Sequence, residues 1–96
     1  MLELGWAPLT QHGDWAVDTA EKAIARRNLT DLPDLDKIEA NIYLDGAVTS
    51  AIVRSTGTKK IASGAAMRSP RDTEDRLVGM RIALTRALVN LDIELF

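Results

Sequence analysis

Lys37-Ile38-Glu39-Ala40-Asn41-Ile42-Tyr43-Leu44-Asp45-Gly46-Ala47-Val48-Thr49-Ser50-Ala51-Ile52-Val53-Arg54 decides the fold of this chain. Ile38, Ala40, Ile42 and Leu44 recur every second residue, the period of a strand with one buried face. Asp45-Gly46 is a pair favoured in two-residue type I′ turns, and Ala47 to Arg54 returns as a second strand. Pairing across that turn sets Leu44 opposite Ala47, Ile42 opposite Thr49, Ala40 opposite Ala51 and Ile38 opposite Val53. One face of the hairpin is then apolar and small. The other, with Lys37, Glu39, Asn41 and Tyr43 against Val48, Ser50, Ile52 and Arg54, is mixed and faces solvent.

Upstream, residues 1–13 form an extended arm, in which Leu2, Leu4 and Trp6 alternate while Gly5 and Pro8 oppose helix. Such an arm adds a strand to a sheet edge or covers the open side of a small core. Asp14 is a candidate N-cap. From Trp15 to about Arg27, Ala16, Val17, Ala20, Ala23 and Ile24 share one helical face. That face is mostly alanine, so the helix can lie close to a sheet. Asn28 stops it, and Leu29, Leu32 and Leu35 tack the following loop, broken by Pro33, onto the core.

Downstream, Ser55-Thr56-Gly57-Thr58 turns the chain into a third strand from Lys59 to about Arg68, where Gly64 marks a bulge or a close approach. Ser69-Pro70-Arg71-Asp72 opens a second helix, with Ser69 or Asp72 as its cap. Asp72, Glu74 and Asp75 suit the positive end of its dipole. Leu77, Met80, Leu84, Ala87, Leu88 and Leu91 form its apolar stripe, which ends near Leu91. The expected organisation is an arm (1–13), one α+β domain (14–92) and an apolar tail (93–96). The domain runs α-β-β-β-α, with two helices on one face of a three-stranded antiparallel sheet.

Composition narrows the function. The 96 residues are 46% hydrophobic and 27% charged, as in a soluble globular domain, and there is no cysteine and one histidine, His12. Disulfides and thiolate metal sites are excluded, and a His-based triad has little to build on. No apolar run reaches the length of a membrane span, so a cytoplasmic protein without a membrane partner is expected. Residues 1–53 carry four Lys/Arg against nine Asp/Glu, and residues 54–96 carry eight against five. The halves therefore attract each other, or the second offers an anion-binding face.

The helix–three strands–helix order resembles the double-stranded-RNA-binding domain. That family opens its second helix with a Lys-Lys pair and an alanine-rich run, where this chain has Thr73-Glu74-Asp75-Arg76. Residues 61–88 carry a more local resemblance. Arg68-Ser69-Pro70-Arg71-Asp72 followed by Gly79, Arg81, Ala83-Leu84 and Arg86-Ala87-Leu88 is similar to the C-terminal half of a group of small, largely uncharacterised bacteriophage proteins. Here Met80 separates the Gly and Arg that are contiguous in that group, and Arg68 stands where a cysteine is frequent. The resemblance implies a phage origin and no particular activity.

Two surfaces are candidates for function. Val78, Ile82 and Val89, with Gly79 beside them, form a second apolar stripe on the far side of the last helix. This suits a protein partner, either another copy or a host factor, with Gly79 permitting close approach. Lys59, Lys60, Arg68, Arg71 and Arg76 are the alternative, a basic group for duplex RNA or DNA, provided Asp72, Glu74 and Asp75 do not neutralise it. Catalysis has no support, since no nucleophile motif or phosphate-binding glycine loop occurs. No catalytic residue, cofactor, metal ion or small-molecule substrate is expected.

Overall fold

A computed structural model describes residues 2–67 and 76–95. Its elements are β1 (Leu2–Glu3), β2 (Ala7–Pro8), α1 (Leu9–His12), α2 (Asp14–Arg27), β3 (Ile38–Asp45), β4 (Val48–Ser55), β5 (Ile61–Met67) and α3 (Arg76–Leu95), with a 3-10 turn at Leu35–Lys37. The fold is α+β with an antiparallel sheet, but it exceeds the expected three strands and two helices. The arm contributes β1 and β2, both paired with β3, and α1 precedes the long helices.

The hairpin forms with its register moved by two residues: Leu44 faces Thr49, Ile42 faces Ala51, Ala40 faces Val53 and Ile38 faces Ser55. The turn centres on Gly46-Ala47, with positive φ (+60°) at Gly46 and none at Ala47. A lone positive φ at the first central position belongs to a II′ turn, whereas I′ needs two. Because side chains alternate with period two, a two-residue shift leaves every residue on its expected face.

The inner face carries Ile38, Ala40, Ile42, Ala51 and Val53, all fully buried. Against it lie Ala16, Ala20 and Ala23 of α2 and Ala83, Leu84, Ala87, Leu88 and Leu91 of α3. Arg81 bonds Asp18, and Asp92 accepts the Asp31 N–H. The two long helices therefore point the same way. Gly13, rather than Asp14, occupies the N-cap of α2, and Asn28 closes that helix in the left-handed conformation (φ +51°).

α3 lies so close to β5 that a Cβ on Gly64 would fall 2.4 Å from the Ala87 backbone nitrogen and 2.6 Å from the Ala83 carbonyl oxygen. The ladder from Val48↔Met67 to Arg54↔Ile61 is unbroken, so Gly64 marks close approach and not a bulge. Small Ala62, Gly64 and Ala66 thus face the helix, and β5 turns its large residues, Ile61 and Met67, outward.

The arm skips one residue. Glu3 pairs with Tyr43 and Ala7 with Ala40, so Leu4, Gly5 and Trp6 lie opposite only Ile42 and Asn41. Gly5 supplies the positive φ (+88°) that such a bulge requires. The extra residue moves Trp6 to the outer face, where the Arg54 guanidinium stacks 3.9 Å from its ring centroid. At the other end α3 runs through Leu95 rather than stopping near Leu91. Ile93 to Leu95 are therefore helical and belong to α3, not to a separate tail.

Candidate functional site

The outer sheet face is built in rows across β3, β4 and β5: Glu39-Arg54-Ile61, Asn41-Ile52-Ser63, Tyr43-Ser50-Ala65 and Asp45-Val48-Met67. Its β3 side is closed. Asn41 is fully buried there, accepting the Gly5 N–H at Oδ1 (3.0 Å) and donating from Nδ2 to the Tyr43 hydroxyl (2.9 Å). Arg54 Nε donates to Glu39 Oε1 at 2.9 Å beneath Trp6. The β4–β5 side is open. Ile61 is 55% exposed and Met67 79%, with Ser63 and Ala65 exposed between them.

An open cleft of about 710 Å³ continues from this face around the β5 edge to α3, with Ser50, Ile52, Ser63, Ala65, Arg86 and Asn90 in its lining. Arg86 Nη1 donates to the Ala65 carbonyl (2.6 Å) and Asn90 Nδ2 to the Ser63 carbonyl (2.7 Å). One turn apart on α3, these two side chains satisfy acceptors that an edge strand leaves unpaired.

Of the second stripe on α3, Val78 and Ile82 are exposed, while Val89 is half-buried and packs against the core. Gly79 faces inward; a Cβ there would meet the Thr49 hydroxyl at 3.1 Å. It serves contact with β4, so the structure does not bring all four residues onto one surface.

The basic group is split. Lys59 and Lys60 lie exposed in the turn before Ile61, at one end of β5. Arg76 opens α3 near the other end, since Gly79 sits at Thr49, which pairs with Ala66. Seven residues of strand separate these ends by about 20 Å. Arg68 and Arg71, and the carboxylates Asp72, Glu74 and Asp75, lie outside the described residues. Arg54, Arg81 and Arg86 are all engaged within the chain. Two of these engagements, Arg54–Glu39 and Arg81–Asp18, join the basic half of the sequence to the acidic half.

No protein-family model, curated protein or solved structure matches this chain. The surface itself must carry the functional reading. Among the described residues no three acidic or histidine side chains group as metal ligands, and no helix is long and apolar enough to cross a membrane.

The surroundings of Asp18 move its titration. Arg81 Nη1 at 2.6 Å, with Lys22 Nζ at 3.2 Å, holds its carboxyl below the usual range. A carboxyl that titrates lower folded than unfolded (about 3.9) stabilises the fold above that unfolded value. The contribution is lost as pH falls through the lower, folded value. Asp18→Asn should therefore lower the urea midpoint at pH 7, and the gap should close as pH is taken down from about 4. A gap independent of pH would show that the ion pair is not its source.

Proposed function

We propose that this is a small phage-type protein of the host cytoplasm that acts by binding protein, either a second copy of itself or a host factor. The observation that carries the reading is the open β4–β5 face. A solvated sheet face alternates toward Lys, Glu and Thr, yet of Val48, Ser50, Ile52, Arg54, Ile61, Ser63, Ala65 and Met67 only Arg54 is charged, and it is paired with Glu39. Such faces, with protruding aliphatic residues, are depleted in the groups that favour water and enriched in those found at interface centres. The stripe of Val78 and Ile82 on α3 is a smaller surface of the same kind.

A photo-reactive benzoylphenylalanine in place of Ser63 tests this in cells. Protein adducts of defined mass are expected, and Met67→Lys should suppress them. No adduct would overturn the reading. So would tight binding of the purified chain to duplex RNA or DNA at physiological salt, lost on Lys59→Glu/Lys60→Glu. That outcome would assign the function to the basic group instead.

A further inference from the structure

The cleft that continues around the β5 edge onto α3 is lined by two arginines, Arg27 and Arg86, and by no acid. We propose that it binds a small amphipathic oxyanion, a carboxylate or phosphate ester carrying a short apolar body. This goes beyond the protein-contact reading and does not depend on it. The two cations come from different helices. The Arg81–Asp18 pair and the bond from Asp31 N–H to Asp92 set α2 and α3 side by side in one direction. The end of α2 is thereby level with the last turns of α3. Arg27, the final residue of α2, reaches the same cleft as Arg86.

The two guanidinium groups are held differently, in a way that suits a ligand. Arg86 Nη1 donates to the Ala65 carbonyl at 2.6 Å, which uses one of its N–H donors and fixes the group at the cleft wall. Arg27 is exposed and makes no hydrogen bond or ion pair with any described residue. Acids near its helix are engaged elsewhere: Asp18 with Lys22 and Arg81, Asp92 with the Asp31 N–H. Two cations facing one concavity repel each other, and an anion seated there removes that cost while gaining both attractions. The planar fork of arginine also matches the paired oxygens of a carboxylate or phosphate.

The rest of the lining describes the rest of the ligand. Ser50, Ser63 and Thr85 add neutral hydroxyl donors, and Ile52 and Val89 add apolar surface beside them. A bare ion would leave that apolar surface wet, so the ligand carries a body as well as a charged head. The volume of about 710 Å³ falls within the roughly 300–1,000 Å³ usual for small-molecule sites. A polymeric polyanion is the poorer fit, because it is held by a row of cations along its length. The other cations offer no such concavity: Lys59 and Lys60 stand on an exposed turn, and Arg54 is paired with Glu39.

Phenyl phosphate and benzoate, each titrated into the full ¹⁵N-labelled chain and followed by amide shifts, test the site. Saturating shifts are expected at Gly64, Ala65, Thr85 and Val89, with a Kd of about 1–10 mM for so small and open a contact. The tighter of the two probes names the head group. Phenol, which lacks the charge, and inorganic phosphate, which lacks the body, should both bind more weakly. Arg27→Gln should weaken binding roughly fivefold, the upper end for an exposed ion pair, with an unchanged melt. Arg26→Gln, at the exposed neighbour outside the lining, should leave it as it was. Shifts that stay linear to about 50 mM, or that centre on Lys59 and Lys60, overturn the site. Equal losses at Arg26 and Arg27 overturn it too, since net charge and not the cleft would be responsible. Phenol or inorganic phosphate binding as tightly as phenyl phosphate overturns the amphipathic oxyanion as its ligand. Protein adducts at residue 63 are read separately, so the two readings fail independently.

Discussion

Gly64→Ala is expected to destabilise the protein by about 3 kcal/mol, the upper part of the usual range for overpacking a tight site. The added methyl would sit 2.4 Å from Ala87 N, 2.6 Å from Ala83 O and 2.7 Å from Arg86 Cβ. Two of these are backbone atoms in the middle of a helix and the third is fixed to it, so no single rotamer change makes room. α3 must lift off β5, which loosens Ala83, Ala87 and Leu84 together and strains the Arg86 and Asn90 bonds to the strand edge. In a domain of this size, with total stability of roughly 5–14 kcal/mol, that is a large fraction. Urea unfolding should show a midpoint lowered by roughly 2 M at an m value near 1.5 kcal/mol/M. Gly79→Ala is the comparison: there the nearest atom is Thr49 Oγ1 at 3.1 Å, a side chain able to rotate. Alanine also gains about 1 kcal/mol of helix propensity, so the midpoint should stay near wild type. Equal effects at the two glycines would contradict the seating of α3 described here.

Much of this architecture was legible because alternation survives errors of register. The expected pairing of Leu44 with Ala47 is displaced by two residues, yet Ile38, Ala40 and Ile42 are all buried as anticipated. Asn28 closes α2, and Leu29, Leu32 and Leu35 fasten the loop for reasons that are local in the chain. What could not be seen required a distance between elements. The large residues of β5 would ordinarily be assigned to the core. They are turned outward because α3 approaches too closely for anything but Ala62, Gly64 and Ala66. The pairing of Gly64 with the alanines at 83 and 87 held that signal, but only for a reader who already knew that strand and helix meet there. The open outer face follows from the same close approach. Likewise, Lys59 and Arg76 are both basic and close to β5 in sequence, and only the strand between them reveals that they stand at opposite ends.

The two charged halves of the chain bear on the same question. An excess of basic residues after Val53 is compatible with a polyanion partner. However, Arg54 spends its charge on Glu39 and Trp6, Arg81 on Asp18, and Arg86 on a strand edge. Exposed pairs of this kind contribute little stability individually, about 0.2–1 kcal/mol. Their larger consequence is that three of the eight cations are positioned for the fold. This weakens a polyanion-binding surface and leaves the sheet face, whose one charge is paired, as the feature the fold itself does not require.

Removing residues 1–8 is the other change from which a large effect is expected. The arm pairs with β3 at Leu44, Tyr43, Ala40 and Glu39, donates Gly5 N–H to buried Asn41, and lays Trp6 against Arg54. Against this stands the ordering of residues 2–8, about 1–2 kcal/mol each for the backbone alone. The arm therefore holds only because several contacts act together. Its bulge matters here. If the same residues alternated without the bulge, Trp6 would join Leu2 and Leu4 on the inner face and be driven toward the core instead of onto Arg54. The shortened chain should lose about 2–4 kcal/mol, a sum of lost hydrogen bonds and stacking less the entropy regained. It should also expose the β3 edge over its whole length, so association through that edge should appear at concentrations where the intact chain is well behaved. Trp6→Ala, which retains the backbone pairing, should cost no more than about 2 kcal/mol and cause no such association. A shortened chain with an unchanged melt would mean that the arm is a passive cover. Loss of stability without association would mean that neighbouring side chains protect the β3 edge, as Arg86 and Asn90 of α3 protect that of β5.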